Sequence, residues 1–191
     1  MQRPIILMLH FIIFTFLAIS QTNVRIETEV GDIVVELYPD KAPVTVANFL
    51  RYVDGSFYNG GSFYRTVRED NEVRNNVPIE IIQAGVHPWK ENFPFPPIIL
   101  ERTSLTGKYH VAGTISMARS GADSATSSFF ICVRDLPSLD FGGKRNPDGQ
   151  GFAAFGKVVQ GMDVVKRINA ARSDGQAIMP PVRISQVVRM K

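Results

Sequence analysis

Hydrolytic and metal chemistry find little support among the reactive residues of this chain. His10, His87 and His110 are its three histidines, and none stands at metal-ligand spacing with another or with a carboxylate. No Gly-x-Ser-x-Gly elbow occurs, and no pattern points to a Ser-His-Asp set. Lys144 lies among the glycines of the polar stretch 141–151, but the Gly-x-x-x-x-Gly-Lys-Ser/Thr spacing that cradles a phosphate is missing. Cys132, the single cysteine, sits in the apolar run Phe129 to Val133 and reads as a small buried hydrophobe. What remains is a set of short segments that mix apolar strand residues with one guanidinium, Arg65, and two carboxamides, Gln83 and Gln160.

Those segments are Phe63-Tyr64-Arg65-Thr66-Val67, Ile81-Ile82-Gln83-Ala84-Gly85, Gly113-Thr114-Ile115-Ser116-Met117-Ala118, Ser127-Ser128-Phe129-Phe130-Ile131 and Phe155-Gly156-Lys157-Val158-Val159-Gln160-Gly161-Met162-Asp163-Val164-Val165. Each is weak alone; the five in this order resemble the cyclophilin family of peptidyl-prolyl cis/trans isomerases over nearly all of Val24 to Met190. The resemblance implies a mainly β fold, a closed eight-stranded antiparallel barrel capped by two α-helices, with a proline-binding groove on its outer surface. It also implies rotation of X-Pro bonds in proline-containing peptides and in unfolded or partly folded proteins, with no cofactor and no metal.

Amide resonance opposes that rotation with a barrier of about 18–20 kcal/mol, so catalysis must favour the twisted bond. Once resonance is lost, the prolyl nitrogen regains a lone pair and can accept a hydrogen bond. A permanently charged guanidinium with rigid donors suits that state, more so where water is excluded. Arg65 matches the family's arginine in this role, and Gln83 matches the glutamine that bonds the substrate backbone and helps hold the arginine. Ile81, Phe130 and Leu139 match positions that line the proline socket, Ala118 and Arg119 match the stretch that pairs with the peptide, and Phe152 stands where the family has a histidine near the next strand. Three further departures are Glu80, expected to face solvent or meet a cation, Ser128, and Ser138 in place of an aromatic residue. A barrel that grips proline segments with little turnover is the alternative these departures keep open.

The elements that must position these residues follow from periodicity. Val24, Ile26, Thr28 and Val30 alternate with polar partners, Ile33 to Tyr38 follows, and Gly31-Asp32 reads as the two-residue hairpin turn between them. Further strands are expected at 62–67, 80–84, 113–118, 128–133, 153–159 and 182–189. Pro43 suits the first turn of a helix carrying Val46, Phe49, Leu50 and Val53 and ended by Gly55, and Met162 to Ala171 forms a second. Two polar stretches, 68–78 and 141–151, are long for a compact domain, and each is expected to be either functional or mobile.

With 191 residues, 45% of them hydrophobic and 20% charged, the chain can bury one core and is too apolar to be disordered throughout. Its net charge of +3 is scattered rather than massed, which argues against a nucleic-acid partner. Met1-Gln2-Arg3, the apolar run Ile5 to Ile19, and small residues at Ala18 and Ser20 read as a signal peptide over 1–20, with an uncleaved membrane anchor as the rival reading, ahead of one isomerase domain over 21–191. The chain is accordingly expected to be exported: periplasmic in a double-membrane bacterium, secreted or in the secretory pathway otherwise. It is expected to act as a monomer, touching the membrane through that segment alone.

Overall fold

A computed structural model describes residues 22–72, 76–87 and 95–190; the expected signal segment lies outside them. Eight strands form the barrel: β1 (Thr22–Thr28), β2 (Gly31–Leu37), β3 (Ser62–Val67), β4 (Ile81–Gly85), β5 (Thr114–Met117), β6 (Phe129–Cys132), β7 (Ala154–Gln160) and β9 (Ala177–Arg189). They pair in the order β1-β2-β7-β5-β6-β4-β3-β9, and β9 returns to β1 to close the sheet. Every pairing is antiparallel. A two-residue strand, β8 (Ser173–Asp174), lies on β9 as a short ribbon that the periodicity did not announce.

Helices α1 (Pro43–Asp54) and α3 (Met162–Asn169) are the two expected, and a single turn, α2 (Thr103–Thr106), adds a third. Pro43 opens α1, and the Glu101 carboxylate accepts from the Val44 and Thr45 N–H groups at 3.1 and 2.8 Å, which places an anion on the helix's positive end. On α3, Asp163 stands in the first turn and pairs with Arg167 one turn later.

Two expectations need correction. The first hairpin does not turn at Gly31-Asp32: Thr28 pairs with Gly31, so the loop is Glu29-Val30. Gly31 is a glycine for another reason, because a Cβ there would stand 3.0 Å from Val164 Cγ2 on α3, at a φ of +127°. Similarly, β9 starts at Ala177 rather than Val182, since Pro180 and Pro181 hide the start of the strand by offering no N–H to a ladder.

Strand alternation divides the apolar residues into two clusters. Phe49, Phe63, Ile82, Phe129, Ile131 and Phe155 belong to the large one inside the barrel, where Phe49 meets Phe129 edge-on at 5.5 Å. Val67, Ile79, Ile81, Phe130, Cys132, Leu136 and Leu139 form a second cluster on the other face. Strand β3 carries a bulge between Phe63 and Arg65, with Tyr64 as the extra residue.

Candidate active site

The register of the sheet brings the site together. Arg65 pairs with Gln83, Gln83 with Phe130, and Phe130 with Ser116, so four neighbouring strands carry one transverse row. Above the second apolar cluster this row borders a cavity of about 240 Å³. Arg65, Gln83, Ile81, Ala118, Arg119, Phe130, Leu139 and Phe152, all of the residues marked in the sequence, line it. Ile79, Arg145 and Asn146 line it as well and were not foreseen.

Ile81, Phe130 and Leu139 are at least 97% buried and make the floor, where Phe152 packs edge-on against Phe130 at 5.4 Å. The half-buried Arg65 stands at the rim. Its Nη1 donates to Gln83 Oε1 at 2.7 Å, while Gln83 Nε2 donates to the Tyr64 hydroxyl at 2.7 Å, which fixes the orientation of the amide. Burial holds the Arg65 guanidinium below its ordinary pKa, the neighbouring Arg145 acts in the same direction, and Glu72 opposes them. It still carries its charge at neutral pH, because arginine starts so high.

Arg119 is spent differently. Its Nε donates to the Gly151 carbonyl at 2.7 Å, and its two Nη groups make a bidentate pair with Asp148 at 2.7 and 3.0 Å. The hydrogen bond from Arg119, aided by the Gln150 N–H, lowers the Asp148 carboxyl to about 2. The guanidinium also lies 5.0 Å from the centre of the Phe152 ring, so Arg119 builds wall with its charge already matched.

Beneath the floor lies a constellation invisible in the sequence. His110 Nδ1 is 2.6 Å from Asp140 Oδ1, and Nε2 is 3.0 Å from Ser116 Oγ. Ser116 has no exposed surface, and the imidazole is stacked under Phe130 at 5.9 Å, so the serine has no route to a substrate carbonyl. The trio braces the floor and offers no hydrolytic site.

A family model described as "Cyclophilin type peptidyl-prolyl cis-trans isomerase/CLD" matches residues 23–189. Peptidyl-prolyl cis-trans isomerase A of Dickeya dadantii is 39% identical over 162 residues, covering 83% of this chain and 77% of its relative. Peptidyl-prolyl cis-trans isomerase B of Escherichia coli is 40% identical over 147 residues, covering 76% and 82%. The chain belongs to the cyclophilin family. A cyclophilin-type isomerase of Cryptosporidium parvum has the same fold, with a TM-score of 0.70 at 24% identity over 90% of this chain and 98% of that one.

Within this cyclophilin, one departure from the family pattern, Phe152, lines the cavity, and the other three lie outside its lining. Glu80 turns to Arg134, 3.4 Å away, as expected of a carboxylate in that position. Ser128 sits 3.4 Å from the Tyr64 hydroxyl, and Ser138 belongs to the short turn Pro137–Leu139. The two long polar stretches meet beside the socket: Arg145 donates to Glu72 at 2.8 Å and to the Val77 carbonyl at 2.9 Å, with the Glu72 side chain only 3% exposed. No sequence signal pairs residues so far apart, since neither stretch has a periodicity.

Proposed function

We propose that this cyclophilin-type peptidyl-prolyl isomerase turns over X-Pro bonds in unfolded or partly folded exported proteins, with Arg65 as the catalytic residue. The proline ring enters the cavity onto Phe130, Ile81 and Leu139, where its apolar surface leaves water. Gln83 positions Arg65 and can donate to the substrate backbone as the peptide moves across the rim. The guanidinium then stabilises the twisted amide by donating to the prolyl nitrogen, whose lone pair resonance no longer holds. The observation that carries this reading is the placement of a partly desolvated guanidinium at the rim of an apolar socket, its plane fixed by a neutral amide. A neutral partner matters because a carboxylate there would offset the charge the twisted bond needs. In support, the fold of the Cryptosporidium parvum protein has also been crystallised in the presence of the dipeptide Ala-Pro.

Turnover of proline tetrapeptides in a protease-coupled assay tests the activity. Arg65→Ala should lower kcat/KM by about 10²- to 10³-fold with far less effect on peptide affinity, since the lost donor acts mainly in the transition state. Arg65→Lys should recover little, because an ammonium cannot reproduce the planar fork. Wild-type protein that binds proline peptides without turnover would instead make the chain a binding module. Export follows from the reading of residues 1–20 as a signal peptide, and mature protein should begin near Gln21. Intact-mass analysis showing Met1 to Ser20 retained would contradict cleavage.

A further inference from the structure

Arg65 has a second amide partner that none of the five sequence segments contains. Gln176 lies in the two-residue turn between β8 and β9, flanked by the paired Asp174 and Ala177, and follows Gly175, whose φ is +53°. Its Oε1 accepts from Arg65 Nε at 2.9 Å and from Nη2 at 2.7 Å. Gln83 holds Nη1 on the other side. Among the described residues these contacts engage three of the five guanidinium N–H bonds, and the plane cannot turn without breaking at least one contact. Gln176 does not line the cavity, so it acts on a bound ring through Arg65 and not by contact.

The turn that carries Gln176 is itself braced. The Thr66 N–H, next to Arg65, donates to the Gln176 carbonyl at 2.9 Å. Asn71 Nδ2 donates to the Gly175 carbonyl at 3.1 Å and to the Thr66 carbonyl at 3.2 Å. Arg68 reaches the Asn169 carbonyl at 2.6 Å and Ser173 Oγ at 3.3 Å, and its own N–H donates to Asn71 Oδ1 at 2.8 Å. The front of the polar stretch 68–78 is thus committed to holding this turn against β3.

We infer that Gln176 is a positioning residue for the isomerisation, clamping the Arg65 guanidinium from the edge opposite Gln83 so that its two uncommitted N–H bonds stay aimed at the socket. The inference rests on the isomerase reading given above. Preorganised donors need no rearrangement as charge develops, which is where a held guanidinium gains over a swinging one. Gln176 supplies the hold as a neutral acceptor, so the arginine keeps its full charge.

Three variants test this: Gln176→Ala, Gln176→Met, which keeps the bulk and loses the oxygen, and Gln176→Glu, which keeps an acceptor. Both the alanine and methionine variants should lose about 10-fold in kcat with peptide affinity unchanged, a loss of the size small misplacements cause. Gln176→Glu should turn over faster than Gln176→Met. In an Arg65→Ala background Gln176→Met should cost nothing more, because a residue acting through Arg65 has nothing left to position. Wild-type turnover in the methionine variant, or the same loss with and without Arg65, would overturn the inference. The Arg65 Nε–H resonance in nitrogen-edited NMR gives a readout independent of turnover. It should exchange slowly with water in the wild type and in Gln176→Glu, and fast in Gln176→Met. An Nε–H that exchanges in the wild type like that of a free arginine overturns the inference even if turnover is high, whereas absent turnover with a protected Nε–H removes the isomerase reading and leaves the clamp standing.

Discussion

The two faces of the central strands do opposite work with the same residue types. Phe129 and Ile82 point into a closed, aromatic-rich barrel interior, whereas their chain neighbours Phe130 and Ile81 point to the outer cluster, over which the cavity opens. All four are buried, so burial alone does not separate scaffold from site. The separation comes from what lies above each cluster: helices and strand ends close the interior, while guanidiniums and a glycine-rich loop ring the outer face. A strand with period two can therefore carry stability on one side and recognition on the other, and substitution of adjacent residues should report on different quantities.

Phe129→Ala should give the largest effect on folding, about 3–5 kcal/mol, because the interior cannot collapse around the void. Phe130→Ala should destabilise less, since its site borders an open cavity, yet should weaken peptide affinity and turnover together. Chemical denaturation alongside kcat/KM and peptide titration separates the two, and equal losses of stability at both positions would erase the contrast. A gentler pair sharpens it: Ile82→Val should cost about 0.5–1.5 kcal/mol with activity unchanged, while Ile81→Val should shift KM more than melting temperature.

The smallest expected effect concerns the wall of the socket. The Asp148 carboxyl is held at about 2 by Arg119, below its unfolded value of roughly 3.9, so its contribution is present above pH ~4 and is lost as pH falls toward ~2. Melting temperature measured across that window should fall less steeply for Asp148→Asn than for the wild type. Parallel curves would show that the pair adds nothing to acid stability.

Much of this arrangement was legible in the residues. Alternation placed eight barrel strands and helical spacing placed α1 and α3, because each signal is local. The site residues Arg65, Gln83 and Phe130 were legible through the order of five segments, and the sheet register explains why they meet: they occupy adjacent rungs of β3, β4 and β6. What escaped depends on contacts across long separations. Gln176 sits 111 residues from Arg65 in a turn whose strand is two residues long, too short for any period to show. The His110, Asp140 and Ser116 trio, and the meeting of Arg145 with Glu72, likewise exist only once the barrel has closed. Gly31 misled for a different reason, since a glycine required by a packed neighbour looks like one required by a turn.

The extra residue in β3 limits how the gene for this protein can change in length. Phe63 belongs to the interior cluster and Val67 to the outer one, although four residues apart on a regular strand they would share a face. Tyr64 supplies the half-step that reverses the phase between them. Loss of one codon there would make Phe63 and Arg65 consecutive, which keeps Arg65 on the outer face opposite Gln83 but removes the bulge and the added twist it gives the strand beside the socket. Position 64 is therefore constrained twice, once as the extra residue of the bulge and once through the hydroxyl that receives the Gln83 amide.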